Sequence, residues 1–331
     1  MIPVQTIRAA ILFLAGLAIA VWAVPDEIIA SGYPKKPLTL VVAYSPGGAV
    51  DNIARTVAKY IEPHLGQRVV VQNRPGAGGE IGYRSLALSR SDGYTLGMIT
   101  SPPVLMLDKL RPGTGIGMDR FEAVATLQKD PVVLAVNRKS PYLTLRDLLD
   151  AAAAERINVA GDGPNSNNQL QLAVAEEMLG VDFNFVPYSG SGPSITSLLG
   201  NQVQAAVPSA SSATTYVLRG DLRVLAVFSP ERYAYLPDAP TILEASGVDV
   251  PDLGAAVRGV VVPRGMAADR KAALADAFAR LGADKAFLEH AGQTRLPLYY
   301  QGARELEQYL AATSALLDEH MGLLDAGEND R

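Results

Sequence analysis

The sequence predicts an α/β protein built on largely parallel sheets, with enough chain for two lobes. Three observations predict it. Strand-like and helix-like runs alternate from Tyr33 onward, the pattern that lays helices against the faces of a parallel sheet. No fixed-period repeat is evident, which argues against a solenoid. The 331 residues, 48 % hydrophobic and 19 % charged, suffice to bury a substantial core.

The elements follow in order. Residues 38–43 are a β-branched apolar run and read as a buried strand. The run stops at Pro46-Gly47-Gly48, and a helix over 51–65 starts at once. Val50, Ile53, Ala54, Val57, Ala58, Ile61 and Leu65 keep helical spacing, with Gly66 as the stop. Residues 69–72 read as a strand, 79–88 as a short helix and 95–99 as a strand, before a Pro- and Gly-rich stretch at 102–117. A strand at 132–136, a helix at 143–155, a strand at 157–160 and a helix at 170–179 come next. Strands at 183–186, 203–207 and 224–227 are separated by helices near 195–199 and 214–218. A last strand at 259–262 precedes helices at about 268–281 and 304–321.

Composition excludes several function classes. The net charge is −5, and no basic excess suggests a nucleic-acid or anionic-membrane partner. The absence of cysteine excludes disulfides, thiolate metal sites, a cysteine nucleophile and a lipid anchor on an N-terminal cysteine. Gly76-Ala77-Gly78-Gly79-Glu80-Ile81 and Gly161-Asp162-Gly163 both lack the third glycine of GxGxxG. No phosphate loop, nucleophile elbow or HExxH helix is present. His64, His290 and His320 are far apart in helical patterns. These residues point to no cofactor, no metal site and no enzyme.

Arg8 is the only charge before an uncharged run of 17 residues from Ala9 to Pro25, which Asp26-Glu27 close. The run is longer than a usual signal core and short for a membrane span. Val21-Trp22-Ala23 and Ala30-Ser31-Gly32 offer cleavage sites. Residues 1–30 are therefore expected to be a signal peptide for export to the periplasm, with a retained N-terminal anchor as the alternative.

The Pro46-Gly47-Gly48 turn is the most informative segment. It joins a buried strand to a helix whose first amides lack intrahelical partners and carry the positive end of the helix dipole. Such a turn is either an ordinary connection or an anion site that needs no basic side chain. Similar turns recur at 161–168 and 188–193, and a serine-rich turn at 208–212 follows another strand. Ligands of open α/β sheets bind beyond the carboxyl ends of strands.

A set of short motifs then makes a resemblance specific. Tyr33-Pro34 is followed by Pro46-Gly47-Gly48 with Asp51 and Ala54-Arg55, then by the run from Asn73 to Gly79 and by Asp92-Gly93-Tyr94-Thr95-Leu96. Val186-Pro187-Tyr188, Gly200-Asn201-Gln202-Val203, Leu225-Ala226-Val227, Leu236-Pro237 and Ala239-Pro240-Thr241 come later. In order and spacing, from about Tyr33 to Pro263, the chain resembles the Bug/TctC family, extracytoplasmic solute receptors of tripartite tricarboxylate transporters.

The resemblance implies a type II, Venus-flytrap periplasmic binding protein with a mostly parallel sheet in each lobe. It implies two interlobe crossings, near 127–131 and 250–256. One lobe would comprise 33–128 and 252–331, and the other 129–251. Such a receptor captures a small organic carboxylate between its lobes and delivers it, as a monomer, to membrane permease subunits. A sensory receptor presenting the same ligand to a signalling partner, or an α/β enzyme, are the alternatives.

The same resemblance, with the turns above, names the candidate ligand-binding residues. They are Tyr44, Ser45, Gly47, Gly48, Ala49 and Asp51 at the first turn, and Thr100 and Ser101 after the third strand. Asp162, Asn165, Ser166 and Asn167 follow, then Tyr188, Gly190 and Ser209. Glycine allows close backbone approach, so the amides of Gly47, Gly48 and Ala49 would donate to a carboxylate, directly or through water. Tyr44 matches an aromatic position that packs on the ligand. Asp51 matches the family's acid after the turn, where it would also stabilise the helix start. Arg74 is the one basic side chain in a glycine-rich turn, in a segment the family uses mainly as a tight connection.

Two departures stand out. Val50 replaces a frequent Thr or Ser, and Asp162 adds a negative charge to the second turn. Beside a bound carboxylate that charge is unfavourable unless the ligand also carries a positive or donor group. The other reading has Asp162 capping a turn and facing solvent.

Overall fold

The computed structural model describes residues 32–324. The N-terminal run read as a signal or anchor, and the tail 325–331, lie outside the described residues. The strands are β1 (Leu38–Val42), β2 (Val69–Asn73), β3 (Thr95–Ser101), β4 (Phe121–Asp130), β5 (Val133–Asn137), β6 (Ile157–Gly161), β7 (Phe183–Pro187), β8 (Ala205–Ala206), β9 (Leu222–Val227), β10 (Ala256–Pro263) and β11 (Leu298–Gly302). The helices are α1 (Ala49–Leu65), α2 (Glu80–Ala87), α3 (Pro103–Leu110), α4 (Leu145–Ala154), α5 (Asn167–Leu179), α6 (Ser191–Leu199), α7 (Ala210–Leu218), α8 (Ile242–Ser246), α9 (Ala268–Gly282), α10 (Lys285–Thr294) and α11 (Ala303–His320).

Two sheets organise them. The first is six-stranded, in the order β11-β4-β10-β3-β1-β2, and the second five-stranded, in the order β7-β6-β8-β5-β9. Apolar positions decide which helix faces turn inward. In α1, Val50, Ile53, Ala54, Val57, Ile61 and Leu65 are all buried, and Gly66 ends the helix at φ 68°, a left-handed conformation that glycine adopts without steric cost. At the other end of the chain, α11 packs on β4 and buries Leu306, Leu310 and Leu317.

The sheets are mixed, which corrects the expectation of mostly parallel ones. β1 runs parallel to β2 and β3, and β6 parallel to β7 and β8. These are the βα-repeating halves, where a helix carries the chain back for the next parallel strand. By contrast, β10 is antiparallel to β3 and β4, β11 to β4, and β5 to β8 and β9. β4 leaves the first sheet for β5 after two residues, and β10 re-enters beside it, with Ala256 opposite Asp130. β4 carries the chain out of the first sheet and β10 carries it back in, so the two strands run in opposite directions. The two connections between the sheets therefore lie side by side.

Several elements were not legible in the sequence. β4 carries Thr126, Gln128 and Asp130, polar residues that break an apolar pattern, yet each is at most 3 % exposed. α3 sits within the Pro- and Gly-rich stretch, with proline in its first turn, where a missing N–H is harmless. The short helix α8, α10 and β11 were likewise unread.

Candidate ligand-binding site

The turn after β1 is built around Asp51. Its carboxylate is 1 % exposed and accepts from the Gly47 amide at 2.8 Å, Arg55 Nε at 2.8 Å and Asn73 Nδ2 at 2.9 Å. These bonds hold its pKa down at about 2, the Arg55 hydrogen bond contributing most. Gly47 has φ 84°, so the turn requires glycine there. Gly48 has φ −77° and caps α1 without any side-chain hydrogen bond. The amides at the start of α1 therefore point outward unclaimed, whereas that of Gly47 is committed to Asp51.

Next to this turn, strand register assembles a polar row. Arg258 on β10 stands opposite Thr100 on β3 and opposite Gln128 on β4. Arg258 is 7 % exposed. Its Nη1 donates to Gln128 Oε1 at 2.8 Å and lies 4.0 Å from Asp130 Oδ2. Arg258 Nε and Thr100 Oγ1 are both buried without a hydrogen-bond partner. Burial pulls the guanidinium pKa down, opposed by the charge of Asp130. Tyr44 completes the row. It accepts a hydrogen bond from the Tyr83 hydroxyl at 3.3 Å, edge-on to that ring, so its own hydroxyl proton is free to donate. Burial raises its pKa, and Arg258 partly offsets this.

The facing wall comes from the second sheet. The turn after β6 leads into α5, whose N-cap Ser166 accepts from the Gln169 amide. Asn167 donates to the carbonyl of Gly254 at 2.5 Å. α6 begins after Gly190 with no side-chain cap. Asp162 accepts from Ser191 Oγ, at 3.0 Å to one oxygen and 3.4 Å to the other, and burial raises its pKa. α7 begins after Ser209, and there Asp130 accepts from both the Ser211 amide and its hydroxyl, at 3.0 and 2.6 Å.

These walls enclose a cavity of about 1050 Å³, lined by Tyr44, Gly48, Ala49, Val50, Thr100 and Arg258 on one side. Asp162, Asn165, Ser166, Asn167, Gly190, Ser191 and Ser209 line the other side, and Pro103, Met106, Leu107 and Leu110 of α3 add an apolar flank. Four helices of nine or more residues begin at this cavity. Their N-terminal dipoles favour an anion.

The family model for the tripartite tricarboxylate transporter family receptor, TctC, matches residues 53–319. The chain belongs to the TctC receptor family. It is 34 % identical over 242 residues to protein BugT of Bordetella pertussis, covering 71 % of this chain and 73 % of that one. A TctC solute-binding protein from Polaromonas superposes with TM-score 0.77 at 28 % identity, over 89 % of this chain and 99 % of its own. The R. palustris protein Rpa4515, solved with adipate, superposes with TM-score 0.73 at 25 % identity, over 88 % and 98 %.

As a TctC receptor the chain is a two-lobed solute-binding protein and not an enzyme. The structure brings ten of the candidate residues to the cavity: Tyr44, Gly48, Ala49, Thr100, Asp162, Asn165, Ser166, Asn167, Gly190 and Ser209. It places the other five elsewhere. Ser45 and Gly47 are exposed outside the cavity lining, and Asp51 is sealed beneath the turn. Ser101 is fully buried, and Tyr188 lines a separate hollow with Pro193 and Tyr216. Asp162 faces the cleft rather than solvent alone. Arg74 donates to Gln72 and stays outside the lining. Arg258 was missed altogether; one arginine in an otherwise apolar strand was the available signal.

Proposed function

We propose that this receptor captures a small organic carboxylate in the cleft and passes it to the permease subunits of a tripartite tricarboxylate-type transporter. The observation that carries this reading is the pair Arg258 Nε and Thr100 Oγ1. Both are buried and unpartnered, and both residues line the cavity beside the uncapped start of α1. A buried donor without a partner is costly, and a carboxylate oxygen would satisfy it with a charge-assisted bond. The Tyr44 hydroxyl and the α1 amides would supply further donors. The adipate held by the R. palustris relative supports the same ligand class.

The lobes we assign are 33–128 with 252–331, and 129–251. Membership of the two sheets supports this division, and the adjacent connections between them would form the hinge. Among the described residues no helix is long and apolar enough to cross a membrane. Delivery to the periplasm would rest on the N-terminal run after Arg8.

A thermal-shift screen of the purified receptor against carboxylates tests the binding function, since a ligand of the folded state raises the melting temperature. At least one carboxylate should raise it, and Arg258→Met should reduce the rise at the same ligand concentration. Uptake of that carboxylate by cells should then require both receptor and permease. If no carboxylate shifts the wild type, the reading fails.

A further inference from the structure

Of the three carboxylates on the elements that build the cleft, Asp51 and Asp130 are buried behind its lining and Asp162 lines it. Asp51 accepts from an amide, an arginine and an asparagine. Asp130 is held by the amide and hydroxyl of Ser211, with Arg258 4.0 Å away. Asp162 has the hydroxyl of Ser191, which donates to both of its oxygens from one side. Among the described residues no ion pair involves Asp162. An ionised carboxylate offers about four lone-pair sites, so Asp162 retains acceptor capacity that the protein does not fill. It is partly buried, lines the cavity and belongs to the wall opposite Arg258.

The cleft is therefore polarised. One wall presents an arginine and a hydroxyl with unused hydrogen-bonding capacity. The other presents a carboxylate with unused acceptors. The remaining cationic side chain of the lining, Arg111, is already paired with Glu80 at 3.0 Å. Met106, Leu107 and Pro103 of the apolar flank offer contact to hydrocarbon and no charge. A second ligand carboxylate placed against Asp162 would meet a like charge in a partly desolvated site, which disfavours it. An ammonium group there would meet an acceptor of opposite charge.

We propose that the ligand is a zwitterion, an organic carboxylate that also carries an ammonium group, with its carboxylate on Arg258 and Thr100 and its ammonium on Asp162. This rests on the carboxylate reading above and narrows it. Dicarboxylates of matching length are rejected by Asp162.

The test compares three matched sets by titration calorimetry: β-alanine, malonate and propionate; γ-aminobutyrate, succinate and butyrate; ε-aminocaproate, adipate and caproate. In at least one set the amino acid should bind about tenfold or more tighter than both the diacid and the simple acid, as expected for one charge-assisted hydrogen bond. The set with the widest margin reports the span between the poles. Asp162→Asn keeps the shape and an acceptor for Ser191. It should weaken the amino acid about tenfold and strengthen the diacid.

A diacid that outbinds the amino acid in every set overturns the zwitterion proposal and leaves the carboxylate reading standing. So does an amino-acid preference that Asp162→Asn leaves unchanged. Absence of binding by all nine compounds overturns the zwitterion proposal. If the wider carboxylate screen is also blank, the carboxylate reading falls with it.

Discussion

Thr100 and Arg258 face each other across paired antiparallel strands, and each holds a buried polar atom that no protein group satisfies. Two such atoms on cross-strand partners that line one cavity are a cost that the fold alone does not require. In the proposed binding mode a bound carboxylate would remove the cost at both atoms at once. The receptor's affinity and its unliganded stability should therefore respond to this pair in opposite ways.

Arg258→Met should reduce carboxylate affinity by about 10- to 150-fold, the equivalent of roughly 1.5–3 kcal/mol for a hydrogen bond to a charged group. Arg258→Lys should recover part of the loss, since it keeps the charge but not the forked geometry. Calorimetry on both variants, with a carboxylate that binds the wild type, checks this. Equal affinities for Met and Lys would show that the charge is not felt by the ligand.

Thr100→Val removes an unsatisfied hydroxyl and keeps the side-chain volume. Urea denaturation of the unliganded protein should show no loss of stability, while affinity should fall. A stability loss of more than about 1 kcal/mol would mean that the hydroxyl is satisfied within the protein.

Gly47 and Gly48 should behave differently despite being neighbours. Gly47→Val forces a β-branched residue to φ 84° and should cost roughly 1–2 kcal/mol of stability. Gly48 has an ordinary φ of −77°, and the nearest atom to an added Cβ is the Ser45 carbonyl oxygen at 3.7 Å. Gly48→Val should cost less stability than Gly47→Val, only the loss of a favourable N-cap residue, and affinity is then compared on folded protein. Equal destabilisation of the two variants would contradict the turn geometry.

Asp51 should make the receptor acid-sensitive. Its folded pKa of about 2 lies below the unbonded value of 3.8. The stability it contributes is therefore complete above pH 3.8 and disappears as pH falls through about 2. Its size is on the order of 2 kcal/mol. Chemical denaturation of the wild type and Asp51→Asn should show a gap near neutrality that narrows through this window. A gap constant with pH would assign the loss to packing.

Closure on ligand should be visible by scattering. Lys129, at the end of β4, pairs with Asp252, just before β10, at 2.9 Å, which ties the two connections together. A binding carboxylate at saturation should lower the radius of gyration. An unchanged radius would count against a hinged clamp.

Much of this protein was legible along the chain. The alternation of elements, the α1 stripe and its Gly66 stop all depend on residues within a few turns of one another. The same holds for the glycine turn after β1, and local spacing is what such patterns record. Ten candidate residues reached the cleft because they sit at strand ends and helix starts, where backbone geometry sets position. The remaining features came from long-range pairing. Gln128 and Arg258 are 130 positions apart, and only the register of β10 between β3 and β4 sets them in one row with Thr100. Asp51 and Gly47 show the same limit at short range. The acid after the turn was visible, but only folding showed that it is buried on the Gly47 amide and outside the cavity lining. Sequence by itself determined the α/β alternation, the motifs of the family and where the chain turns. Tertiary structure decided which polar groups those turns consume and which they leave for a ligand, because desolvation and pairing are properties of the packed chain.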